Sequence, residues 1–317
     1  MSLLTATGLT RRFDVSRPWL ERVIARQPKR SLTAVSDVSF TIEPGTTYAL
    51  VGESGSGKST IGRMVAGLLT PSEGEVTFDG EPVRGPRADV QMIFQDPYAS
   101  LNPRWRVGDI VTEPARVRGM PVDAPALLER VGLRAVDAQR YPHEFSGGQR
   151  QRIGVARALS SRPRLIVADE PTSALDVSVQ AQVLNLMSDL QAGEGIAFLL
   201  ISHDLTVIRH MARTIGVLYL GRLVEEAPPD ALFGAPAHPY SAMLIDAAPR
   251  LDGFGRETPE PQGEIPDPID PPKGCAYHPR CPLAVEVCRR ERPSLEPFGA
   301  GRAACHRAGE IGAVAAA

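Results

Sequence analysis

"GESGSGKST", residues 52–60, follows the apolar run "TYALV" and opens the helical pattern "STIGRMVAGLL". Glycines here let backbone N–H groups turn inward around a polyphosphate, and the helix start adds positive potential. Gly52, Gly57, Lys58 and Ser59 fill the fixed positions of a phosphate-binding loop. The whole loop, Gly52, Glu53, Ser54, Gly55, Ser56, Gly57, Lys58, Ser59 and Thr60, is expected to hold a nucleotide's phosphates. Lys58 can reach the β and γ phosphates, and the Ser59 hydroxyl can ligate Mg2+.

A strand–loop–helix unit of this kind belongs to an α/β sheet, and the surrounding chain agrees. "TYALVG" (47–52), "RLIVAD" (164–169), "IAFLLIS" (196–202) and "TIGVLYL" (214–220) read as strands covered on both faces. Val179, Val183, Leu186, Met187 and Leu190 recur at helical spacing. Residues from about 100 to 160 offer no strand, carry prolines at 103, 114, 121 and 125, and read as a mostly helical insertion. Of 29 prolines, 15 fall between Pro228 and Pro297. That shift in composition divides the chain into a nucleotide-binding domain, 1–235, and a C-terminal region, 236–317, of short helices and ordered loops.

Composition narrows the partners. With 317 residues and 43% apolar content the chain can bury a sizeable core. A net charge of −2 provides no basic stripe, so nucleic acid is not an expected partner. No apolar run approaches the roughly 18 residues of a membrane span, and the first residues do not read as a secretion signal. A cytoplasmic location is expected.

"RLIVADEPTSALD" (164–176) points to hydrolysis. Asp169 ends a buried strand, where it can hold Mg2+, and Glu170 can polarise a water for in-line attack on the γ-phosphate. No Asn-Lys-x-Asp motif for guanine is present.

"FSGGQRQR" (145–152) starts its Ser-Gly-Gly-Gln run 23 residues before Asp169. With this motif between the other two, the chain resembles the nucleotide-binding subunits of ABC transporters. The resemblance implies an α/β, P-loop ABC-type domain with a mixed sheet core and a helical insertion, followed by a small Pro/Cys-rich C-terminal region. It implies an ATPase using ATP and Mg2+, in which Lys58, Gln95, Glu170 and His203 carry catalysis. Ser59, Gln95 and Asp169 would attend the Mg2+. Ser146, Gly147, Gly148 and Gln149 would meet the ATP held by an opposite subunit, and Asp176 would cross the seam between the two. Phe13 is the candidate adenine-stacking ring, with Trp19 in the inserted segment 15–31 competing for the role.

"DVQMIFQDPYASLNPR", "SALDVSVQAQVLNL" and "HPY" (238–240) extend the resemblance to the oligopeptide/dipeptide importer subfamily. The insertion after Phe13 and "GEIPDPIDPPKGC" (263–275) are most similar to its F-type subunit. The resemblance implies two transmembrane permeases, a D-type ATP-binding partner and an extracytoplasmic peptide-binding protein, with this chain on the cytoplasmic face of the membrane. Relatives of that subfamily also move nickel chelates, glutathione or sugars. A soluble non-transport ABC ATPase is the other class, but such relatives usually carry tandem cassettes or basic arms.

All four cysteines, Cys275, Cys281, Cys288 and Cys305, lie in the tail, separated by five, six and sixteen residues. Short Cys-x-x-Cys knuckles of zinc ribbons are absent. The resemblance implies an iron–sulfur (4Fe-4S) cluster; Zn2+, with His278 or His306 replacing one cysteine, and unligated cysteines are the alternatives.

Overall fold

The computed structural model describes residues 2–17, 21–22, 28–173, 175–247 and 263–311. Its centre is five parallel strands: β3 (Thr47–Val51), β6 (Val90–Ile93), β7 (Leu165–Asp169), β8 (Ala197–Ile201) and β9 (Thr214–Tyr219), paired in the order 9-3-8-7-6. Every residue of β3, β7 and β8 is buried, as continuous apolar runs require when both faces are covered. The four apolar runs read from the sequence are therefore the spine of the fold.

One face of this sheet carries a second, antiparallel layer. It contains β1 (Leu4–Asp14), β2 (Ser31–Ile42), β4 (Glu73–Phe78) and β5 (Glu81–Pro82), in the order 2-1-4-5. Leu4, Leu9, Val38 and Phe40 pack from this layer onto Tyr48, Leu50 and Leu199 of the central strands, together with Ile61 and Met64 of α1 (Lys58–Val65). The opposite face is covered by helices: α2 (Val107–Arg116), α3 (Ala124–Arg130), α4 (Gly147–Leu159) and α5 (Val177–Glu194). Between Val107 and Leu159 the described chain forms helices, 3-10 turns and loops but no strand, as the proline-broken pattern predicts.

The C-terminal region departs from the expectation of short helices and loops alone. Following α6 (Leu205–Met211) and α7 (Pro229–Gly234) of the nucleotide-binding domain, it has the helices α8 (Pro239–Asp246) and α9 (Glu286–Arg290). It also has two three-residue strands, β11 (Glu296–Phe298) and β12 (Gly301–Ala303). Strand β12 pairs antiparallel with β10 (Arg222–Ala227), placing Glu225 opposite Ala303, so residues from the tail complete one side of the central sheet. Tyr240 and Tyr277 join the main core, their rings 4.6 and 5.3 Å from that of Tyr219. Aromatic pairs of this kind compensate for the scarcity of aliphatic residues in a proline-rich segment.

Candidate functional site

In an open parallel sheet the chemistry collects beyond the carboxyl ends of the strands. The order 3-8-7-6 therefore places the phosphate loop, His203, the pair Asp169–Glu170 and Gln95 along one edge, each just after its own strand. Four motifs separated by up to 150 residues are united by strand order alone.

The phosphate loop is set by backbone geometry. Gly52 has φ 148° and Gly57 φ 105°, and a Cβ at these sites would approach Leu218 O to 2.1 Å and Ala34 O to 2.4 Å. Glycine is the residue both conformations and both contacts demand. Lys58 opens α1 and is buried, donating from Nζ to the carbonyls of Gly52 (2.7 Å) and Glu53 (2.9 Å). Burial lowers its pKa, while Glu170, Asp169 and Glu53 pull the other way. Ser56 is buried; Ser54 and Gly55 are exposed at the loop's tip, and Ser59 and Thr60 are half-buried.

The Ser59 hydroxyl donates to Asp169 Oδ1 at 2.9 Å, bringing the two expected Mg2+ residues into contact. Both supply oxygen, the donor a hard divalent cation prefers, so the pair fits Mg2+. Burial raises the pKa of Asp169, partly offset by the Ser59 bond. Next along the chain, Glu170 sits in the left-handed region at φ 47°, its N–H donating to Ile201 O at 2.8 Å. A non-glycine residue there is held by its surroundings, and such positions cluster at functional sites. Gln95 donates to Glu170 Oε2 at 2.8 Å, and His203 Nδ1 lies 3.5 Å from the same oxygen. Glutamine, glutamate and histidine from three loops thus meet at one carboxylate. That set can hold and polarise a water.

Ser146 caps α4, its Oγ accepting the Gln149 N–H at 3.4 Å while Gln149 Oε1 accepts the Ser146 N–H at 3.0 Å. This reciprocal box orients the helix start. Ser146 and Gln149 face solvent, and Gly147 and Gly148 form the first turn. Among the described residues no hydrogen bond or ion pair joins 146–149 to the phosphate loop. Asp176 is exposed before α5. Phe13 is half-buried in β1 with the Arg11 guanidinium 4.8 Å from its ring centroid; Trp19 lies outside the described residues.

The tail cysteines are free thiols, Cys288 buried and the others half-buried. The Cys275 N–H donates to Cys288 O at 2.8 Å, so their two segments are joined. Burial pushes the Cys275 and Cys281 thiols up and the Cys305 thiol to about 11. Among the described residues no group of three or more His, Cys, Asp or Glu side chains is disposed to hold a metal ion. Their present spacing thus lends no support to the expected cluster or to zinc. His278 Nδ1 faces Cys275 O at 2.9 Å, and His306 Nε2 faces Glu291 O at 3.0 Å.

Three residues of consequence escaped the sequence reading. Arg280 forms a bidentate ion pair with Glu53 of the phosphate loop. Tyr240 Oη accepts the Glu53 N–H at 2.8 Å. Glu225 is buried and accepts the Ala237 and His238 N–H groups at 2.8 and 2.9 Å. The only local hint was "HPY", quoted for resemblance and not for contact.

A phosphate loop, a Ser–Asp pair suited to Mg2+ and a Gln–Glu–His set at adjoining strand ends define a P-loop nucleoside triphosphatase. Comparison with known proteins refines this. Residues 35–173 match the ABC transporter family, and residues 224–288 match the oligopeptide/dipeptide transporter C-terminal region. A probable peptide ABC transporter ATP-binding protein of Sinorhizobium fredii is 48% identical, covering 96% of this chain and 90% of its own. A di/tripeptide transport ATP-binding protein of Pseudomonas aeruginosa is 45% identical, covering 97% and 98%. The ATP-binding cassette MJ0796, solved as a dimer in a post-hydrolysis state with ADP and Pi, superposes with a TM-score of 0.62 at 26% identity, covering 71% of this chain and 98% of that one. The chain belongs to the ABC transporter ATP-binding proteins that carry the oligopeptide/dipeptide transporter C-terminal region. It is an ABC-type ATPase, and no described helix is long and apolar enough to cross a membrane.

Proposed function

We propose that this chain is the motor subunit of an importer for di- and oligopeptides, turning ATP binding and hydrolysis into permease motion. The observation that carries the chemistry is the meeting of Gln95, Glu170 and His203 at one carboxylate, beside the Ser59–Asp169 pair. Lys58 binds the β and γ phosphates once its loop carbonyls release it. Ser59 and Asp169 would hold Mg2+, which when bound would neutralise phosphate charge. Glu170 Oε2 orients and polarises water, whose oxygen attacks the γ-phosphorus as the bond to ADP breaks. His203 braces the γ-phosphate, and Gln95 links this event to the helical insertion. Ser146, Gly147, Gly148 and Gln149, with Asp176, serve a nucleotide shared with a second subunit, and Phe13 stacks on adenine.

The peptide cargo rests on the names of the relatives and on the C-terminal match. Two permeases, a D-type ATP-binding partner, an extracytoplasmic peptide-binding protein and a seat on the cytoplasmic membrane face complete the proposal and rest on the family resemblance alone. The four tail cysteines are read as ligands of a 4Fe-4S cluster with a structural role. Their all-thiol chemistry and the joined Cys275 and Cys288 segments support this, rather than their spacing. Iron and sulfide near four each per chain in anaerobically purified protein is expected; a single zinc instead would overturn it. For the motor, Glu170→Gln in the assembled transporter should lower steady-state ATP hydrolysis at least about a hundredfold and stop peptide uptake. Unchanged turnover would remove Glu170 from this role.

A further inference from the structure

Glu53 is the second residue of the phosphate loop, and the tail grips it twice. Arg280 Nη1 and Nη2 donate to its two carboxylate oxygens at 2.8 and 3.0 Å, and Tyr240 Oη accepts its N–H at 2.8 Å. We propose that Arg280 and Tyr240 are positioning residues for ATP binding, orienting Glu53 and cancelling its charge so that the loop accepts a polyphosphate. This rests on reading 52–60 as the ATP site.

The clamp is built, not incidental. The Arg280 side chain is 3% exposed, where a cation is stable only if paired, and its partner is 21% exposed. Its guanidinium lies 6.0 and 5.8 Å from the ring centroids of Tyr219 and Tyr277. Its backbone N–H is tied to Tyr277 O at 3.0 Å. Tyr240 is fully buried, with its N–H donated to His238 Nδ1 at 3.0 Å. Burial lowers the His238 pKa to about 3, leaving that nitrogen a neutral acceptor. The His238 N–H is in turn held by Glu225. "HPY" thus delivers a tyrosine hydroxyl to the phosphate loop.

The electrostatics give the clamp its purpose. A carboxylate inside a loop that must receive the phosphates of ATP opposes binding, and it lies within electrostatic reach of Lys58. A planar guanidinium fork satisfies both carboxylate oxygens in one fixed geometry, cancelling the charge without reaching for the phosphates itself. The Glu53 carbonyl also accepts from Lys58, so its peptide is fixed from both sides.

A merely structural bridge and a charge-cancelling clamp differ in their double variant. Equilibrium binding of MgATP to the full-length protein should weaken roughly tenfold in Arg280→Gln, because Glu53 is left uncompensated. Added salt should shrink that defect. Glu53→Gln alone leaves the buried Arg280 cation unpaired, so the deciding comparison is the Glu53→Gln/Arg280→Gln double variant, which should recover to near wild type. In the assembled transporter, Arg280→Gln should raise KM for ATP with little change in kcat. A double variant as weak as Arg280→Gln, or an Arg280→Gln variant that binds normally, would overturn the proposal. Should Arg280→Gln fail to fold, the double variant, which buries no unpaired charge, still decides: weak binding in it sinks the idea. Failure of the underlying reading is separate, since then the wild type would not bind MgATP, or Lys58→Ala would bind it equally well.

Discussion

Glu170 and Glu225 are carboxylates near the ends of strands in one sheet, yet they are handled in opposite ways. Glu170 keeps 18% of its side chain exposed and meets Gln95 and His203, side chains that can rotate away. Glu225 is 2% exposed and saturated by two backbone N–H groups that cannot. At the catalytic edge, polar groups stay partly wet and exchange partners, as a reacting site needs. Beneath the tail, a polar group is buried and closed off, as a joint needs.

That contrast can be broken by mutation. The largest effect belongs to the edge: Glu170→Gln should remove at least about a hundredfold of turnover while shifting the melting midpoint little. If it unfolds the protein instead, the contrast fails. Glu225→Ala should do the reverse. Two buried N–H groups lose their acceptor, costing about 2 kcal/mol in chemical denaturation, with turnover per folded molecule largely kept. A smaller effect has the opposite sign. Burial raises the Asp169 pKa above its ordinary 3.8, so the folded state disfavours the carboxylate. The associated stability is complete below the ordinary value and is lost as pH rises through the raised one. Asp169→Asn should therefore melt higher at neutral pH and lose that gain on acidification, while hydrolysis collapses. Smallest in stability is Ser146→Ala, where loss of the exposed cap should cost about 0.5–1 kcal/mol in chemical denaturation of the isolated chain.

The same two regions differ in how much of them could be read beforehand. Strands β3, β7, β8 and β9 were visible because burial on both faces leaves an unbroken apolar run. The phosphate loop, the Asp169–Glu170 pair and His203 sit directly after such runs; Gln95 follows β6, which was not read as a strand, and it was found through the family resemblance. The antiparallel layer was not identified. Register shifts between Ala6 and Leu9, Leu9 and Arg11, and Arg11 and Arg12 interrupt the alternation that would have revealed β1 and β2. Strands β11 and β12 are three residues each, too short for any period, and β11 contains Pro297. The Arg280–Glu53 pair joins residues 227 apart, and no local pattern encodes it. Tail cysteines stood out by composition, which shows that thiols are concentrated there but not how their sulfurs are spaced.

The pairing of β12 with β10 has a consequence for the making of the protein. During vectorial synthesis residues 222–227 leave the ribosome about 75 residues before 301–303, so β10 waits with one unpaired flank. An exposed strand flank is a template for joining another chain. That flank of β10 is covered only when β12 docks, after which the three-residue β11 forms the edge of the sheet.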